Sequence, residues 1–176
     1  MKRLAFALSV LAIIAVFGAI LFYSWRPIAS YDIFWHMATG RLILEQSQLP
    51  TTNTFNYPNP NEEYKNEVWL FDLASHLLWL AAGTRGLCGY RTTVILLMYL
   101  VVLAWLIKRR VPLAVAALLI LTSLVIIEFR FMARNFLLSY LFFAIYLYFL
   151  PSSDRRSQRV ALVLYPLIMV LWANLH

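Results

Sequence analysis

Asp32, His36 and Thr39 stand four and three residues apart. On a helix this spacing sets a carboxylate, an imidazole and a hydroxyl along one stripe. The chemistry it suits is general-base catalysis: Asp32 takes a proton from an acceptor hydroxyl while a phosphate departs. Trp35 lies beside them, either as a ring of the membrane interface or as a surface for a sugar to stack on. The plain alternative is a carboxylate at a helix N-terminus next to an interfacial histidine.

A second set is Glu128, Arg130 and Arg134, in a very short turn between two apolar stretches. Charges so close to apolar helices are costly unless paired or solvated. The two arginines can clamp a phosphate, whose oxygens match the guanidinium fork. Glu128 is a second acid, a metal ligand, or simply the surface partner of Arg130. Asn174 and His176 end the last apolar stretch, and either complete the site or are the first polar residues past a span. Asp32, His36, Glu128 and His176 together would suit a divalent cation, although no pair among them has a zinc-motif spacing. His76 sits on an apolar helix and reads as a packing histidine. The Phe and Tyr run at Tyr140, Phe142, Phe143, Tyr146, Tyr148 and Phe149 reads as lipid-facing or core. No glycine-rich phosphate loop, nucleophile elbow or Cys-x-x-Cys is present, and Cys88 alone makes no internal disulfide.

The elements that must position these groups are apolar. The chain is 62% hydrophobic with a mean hydropathy of +0.73, well above soluble domains. Its net charge of +7 does not point to nucleic acid, because the basic residues flank apolar segments instead of forming one face. Lys2-Arg3, Lys108-Arg109-Arg110 and Arg155, Arg156 and Arg159 hold eight of the fifteen Lys and Arg but one acid, Asp154. The other seven acids fall on the opposite side, among them Asp32 and Glu128. By the positive-inside rule the basic flanks are cytoplasmic, and the two carboxylates share the outer face.

The resulting expectation is an all-α polytopic membrane bundle of about five membrane helices. These are Leu4 to Tyr23, an uncleaved anchor; Thr92 to Ile107; Val111 to Ile127, with Pro112 in its first turn; Asn135 to Leu150; and a helix from near Val160. Residues 24–91 form a structured first outer loop with one or two short helices. Ser30 can cap one through Tyr31 to Glu45; the other, Glu67 to Ala82, lies at the interface or packs on the bundle. Leu49 to Asn61 is rich in turn formers and reads as loop. The whole of 1–176 is one membrane domain, expected to be the N-terminal part of a longer protein.

The stretch YDIFWHMATGRLILEQSQLPTTNTFNY, followed by EVWLFDLASHLLW and later by Trp172-Ala-Asn-Leu-His176, resembles a group of bacterial multi-pass membrane proteins. Their pattern runs Asp, two aromatics, His, Thr-Gly, an apolar run ending in Pro, then Asp or Asn with Phe. Here it is met by Asp32, Phe34-Trp35-His36, Thr39-Gly40, Pro50 and Asn53 with Phe55. That group is similar to the GT-C superfamily of integral-membrane glycosyltransferases, which use polyprenyl-phosphate-linked sugars on the non-cytoplasmic face. The resemblance implies that Asp32 is the essential acid of the first outer loop and Glu128 the second acid. Asn53 replaces the usual Asp, and Arg134-Asn135 replaces an Arg-Pro pair.

The function expected is sugar transfer from a lipid-phosphate carrier to an outer-face acceptor in a bacterial inner membrane, N-terminus cytoplasmic. Asp32 is its base, His36 orients it, and Arg130 and Arg134 hold the phosphate. Glu128 supports them, with a divalent cation possible and no cofactor certain. The partners are a lipid-linked sugar donor and membrane lipids, not nucleic acid. The rival is a non-catalytic membrane component that serves transport or assembly of envelope glycans or lipids.

Overall fold

The computed structural model describes residues 2–52, 54–55, 58, 62–150 and 155–176. Asn53, and 151–154 of the second basic loop, lie outside the described residues.

Among the described residues the chain is all helical apart from one isolated antiparallel bridge, Thr52 with Glu63. The helices are α1 (Lys2–Ser24), α2 (Asp32–Gln46), α3 (Trp69–Lys108), α4 (Leu113–Ile127), α5 (Phe136–Phe149) and α6 (Arg155–Leu175), with a 3-10 turn at Glu128–Arg130. Four of them, namely α1, α3, α6 and α4 continued to Arg130, are long and apolar enough to cross a membrane. That is the signature of a multi-pass membrane protein. α5 is apolar but shorter, at 14 residues.

The largest departure from the sequence expectation is α3. The stretch 83–91, with its three glycines and two arginines, reads as the end of a polar connection, yet it is helical. The two expected helices, Glu67 to Ala82 and Thr92 to Ile107, are joined through it, broken only at Gly83 (φ 56, ψ −141). A Cβ on Gly86 would stand 2.4 Å from the Leu78 carbonyl oxygen, so the chain turns back closely at this break, where only glycine fits. Ser30 does not cap α2. Tyr31 holds the cap position without a side-chain bond, and the Ser30 hydroxyl serves Arg134 instead. Pro112 precedes the first residue of α4 as its N-cap.

The main core joins α1, the second half of α3, α4 and α5 through Ile20, Ile95, Tyr99, Ile120, Leu124 and Leu137. α1 contributes Val16 and Ile20 to this core, and α4 contributes Ala116, Ala117 and Ile120. A second core, Ile33, Met37, Phe71 and Leu87, seats α2 on the first half of α3. Gly40 sets that approach: a Cβ there would lie 2.1 Å from the Asp72 carbonyl oxygen. α6 leans on α5 by the stacked rings of Tyr146 and Tyr165, 4.2 Å apart, each hydroxyl donating to the other's carbonyl.

Candidate functional site

The α1–α2 linker and the turn between α4 and α5 meet at one end of the bundle. Two ion pairs bridge them. Arg134 Nη2 lies 3.0 Å from Asp32 Oδ2, and its Nε donates to Ser30 Oγ at 2.9 Å. Arg26 Nη1 lies 3.0 Å from Glu128 Oε2. All four charged side chains keep partial access to solvent. Asp32 opens α2, where a carboxylate complements the helix dipole.

The linker is held from beneath by Arg91 of α3, a buried guanidinium. It donates to the carbonyls of Ser24 at 2.7 Å, of Pro27 at 3.5 Å and of Arg26. These include carbonyls left without partners where α1 ends. Tyr90, one residue earlier, donates its hydroxyl to the Arg134 carbonyl at 3.1 Å. One turn of α3 thus fixes the backbone on both sides of the paired charges.

His36 does not meet Asp32. It is buried, and its Nδ1 is 2.5 Å from Oδ1 of Asp72 in α3. The other Asp72 oxygen accepts from Asn66 Nδ2 at 2.7 Å, and Asn66 Oδ1 accepts from the Val68 N–H. Asp72 has no exposure. The His36 ring stands edge-on to Phe71 and Trp35. The expected stripe therefore divides: Asp32 faces Arg134, while His36 belongs to a buried acid–imidazole–amide chain between α2 and α3. Thr39 is also buried, with its hydroxyl donating to the Trp35 carbonyl within the helix. Trp35 lies edge-on to Tyr64.

Glu128 takes Arg26, not Arg130, as its partner. Arg130 is exposed, with its guanidinium 5.3 Å from the Phe129 ring centre. Asn174 and His176 sit apart from the ion pairs, in a polar cleft of about 550 Å³ walled by Tyr64, Lys65, Asn66, Glu67 and Trp69. Asn174 Oδ1 accepts from Trp69 Nε1 at 2.7 Å, and His176 Nδ1 is 2.8 Å from Ser139 Oγ. No three metal-ligating side chains come together among the described residues, so Asp32, His36, Glu128 and His176 do not assemble a cation site. His76 is half-buried, and its Cβ lies beside Gly40. Burial pushes the Tyr64 phenol up to about 12, with the Asp72 and Glu67 charges adding to the effect.

Residue spacing overlooked Arg26, Asn66, Asp72 and Arg91. Asp72 had a signal: a single acid inside an otherwise apolar helix needs a buried partner. Arg91 and Arg26 had none, since both read as loop charges.

Compared with known protein families, curated proteins and solved structures, the chain matches none.

Proposed function

We propose that the chain belongs to an integral-membrane glycosyltransferase that moves a sugar from a polyprenyl-phosphate carrier to an acceptor hydroxyl on the non-cytoplasmic face. The observation that carries this reading is the Asp32–Arg134 pair, 3.0 Å apart and partly open to solvent. An acid and a phosphate-binding cation are thereby available at one spot, at the end of the bundle away from the basic flanks.

In the proposed step Asp32 accepts the acceptor's hydroxyl proton. The freed oxygen attacks the anomeric carbon, and the bond from that carbon to the carrier phosphate breaks. The bonding electrons leave with the phosphate. Arg134 carries five N–H donors, of which Asp32 and Ser30 engage only part; the remainder can hold the departing phosphate, with Arg130 as a second cation. Glu128 anchors Arg26 on the other flank. His36 acts at a distance by locking α2 to α3, which fixes where Asp32 projects.

One observation favours the rival reading, a non-catalytic membrane component. Both carboxylates already have arginine partners, an arrangement that also serves as a pair of structural staples. Complementation in a deletion host separates the two. The complete reading frame carrying Asp32→Asn is compared with wild type at equal membrane levels, with envelope lipids and glycans read by mass spectrometry. Loss of one sugar-sized product in the variant supports the transferase, and identical profiles remove Asp32 from catalysis.

A further inference from the structure

A groove of about 310 Å³ runs along the bundle surface between α3, α4 and α5, from Ile127 and Tyr140 near the α4–α5 turn to Trp105 and Leu147 towards the other end of α3. Its wall on α3 is the stripe Met98, Val102 and Trp105; Phe143 and Leu147 of α5 face it, with Ser123 of α4. The lining is almost wholly apolar, and the volume would hold about ten groups the size of a water molecule or a methylene. One further feature marks the groove off from the general lipid-facing surface. It ends one turn short of Lys108 and Arg109. The Arg109 guanidinium lies 5.7 Å over the Trp105 ring, and the Lys108 ammonium 4.6 Å over the Tyr148 ring, beside Leu147. Neither cation is paired with a carboxylate among the described residues.

We infer that this groove is a binding site for one anionic phospholipid, its acyl chain along Met98, Val102 and Leu147 and its phosphate between Lys108 and Arg109. Each part of such a lipid answers an observed need. The chain fills apolar volume, and the phosphate supplies the counter-charge that the mouth lacks. Lys and Arg clusters at the ends of membrane helices recognise anionic headgroups by this charge complementarity. The inference does not rest on the proposed transfer reaction: its phosphate sits at Lys108 and Arg109, whereas that reaction concerns Asp32 and Arg134.

The test is native mass spectrometry of the purified full chain, delipidated in detergent and mixed with equal amounts of phosphatidylglycerol and phosphatidylcholine. The wild type is expected to retain one phosphatidylglycerol with a preference of about tenfold, the size of one charge-assisted hydrogen bond. Lys108→Gln with Arg109→Gln should keep a bound lipid but lose the preference. Val102→Phe should fill the groove and abolish retention; Leu147→Trp, at a half-exposed position, does the same without burdening the core. Equal retention of both lipids by the wild type, an unchanged preference in the double variant, or wild-type retention in the filled groove each overturns the proposal.

Discussion

Arg134 and Asp32 are brought within 3.0 Å by a connection that also engages Ser30. The guanidinium thus ties the start of α2 to the turn before α5. Because both side chains retain solvent access, the pair itself contributes little to stability, about 1 kcal/mol or less. Asp32→Asn keeps size and polarity, so thermal stability should hold while the proposed sugar transfer is lost. Arg134→Lys keeps the charge but loses the fork, so Ser30 and Asp32 cannot both be held. Its transfer rate should fall while folding is retained. Melting curves in detergent, paired with product analysis, check both variants. A large loss of stability in Asp32→Asn would instead make the pair a structural staple.

Asp72 is the opposite case. Its carboxylate has no exposure, and its two oxygens bind His36 and Asn66. Asp72→Ala leaves an imidazole and an amide buried without their partner. The expected cost is about 3–5 kcal/mol, the range for breaking a buried pair. His36→Leu combined with Asp72→Leu replaces the pair by apolar packing and should recover part of that loss. The Asn66 Nδ2 donor loses its partner and sets the limit of recovery. Chemical-denaturant midpoints of the single and double variants test this coupling.

Much of this architecture was legible in the sequence, for physical reasons that particular residues make plain. α1 and α4 are uninterrupted apolar runs, and Ser30 as a cap with Asp32 in the first turn places α2; the helix is there, although the Ser30 hydroxyl serves Arg134 instead. The continuity of α3 was hidden because Gly83, Gly86 and Gly89 look like loop residues, whereas Gly83 and Gly86 serve a tight break and Gly89 has open space around it. Arg91 looks like a membrane-flanking charge, and only the folded linker reveals the carbonyls it satisfies. In the candidate site, Asp32 and Arg134 were expected on one side of the bundle, and the two are paired there. The division of the Asp32–His36 stripe was not expected, because one helix turn gives spacing but does not say which side faces a neighbour. Asp72, far along the chain, decides that.

Tyr64 gives a prediction in pH. Its phenol titrates at about 12 in place of the ordinary 10.0, chiefly through burial, then through the charges of Asp72 and Glu67. The folded chain therefore prefers the neutral phenol. That contribution is fully present below pH 10.0, where the unfolded phenol is still protonated, and is lost as pH rises from there to about 12. Tyr64→Phe cannot ionise and should lose less stability over this window than the wild type. Unfolding midpoints across the alkaline range, with phenolate absorbance of the two proteins subtracted, read the effect. Coincident pH profiles would show that Tyr64 is not the group responsible.

Two glycines should fail on substitution for different reasons. At Gly40 a Cβ would meet the backbone of Asp72, 2.1 Å from its oxygen and 2.6 Å from its carbonyl carbon. Backbone atoms cannot rotate away, so Gly40→Ala must push α2 off α3, at a cost of about 3 kcal/mol. The His36–Asp72 contact spans that same interface and should be disturbed with it. At Gly83 the surroundings are open but φ is 56°. Gly83→Ala therefore meets no neighbour and is penalised through the backbone alone, by about 1–2 kcal/mol. Local proteolysis and hydrogen exchange separate the two causes. Gly40→Ala should raise exchange in α2 and in 69–76 together, whereas Gly83→Ala should raise it around the break and leave α2 protected. The same exchange pattern from both variants would mean that the break and the α2 contact form one cooperative unit.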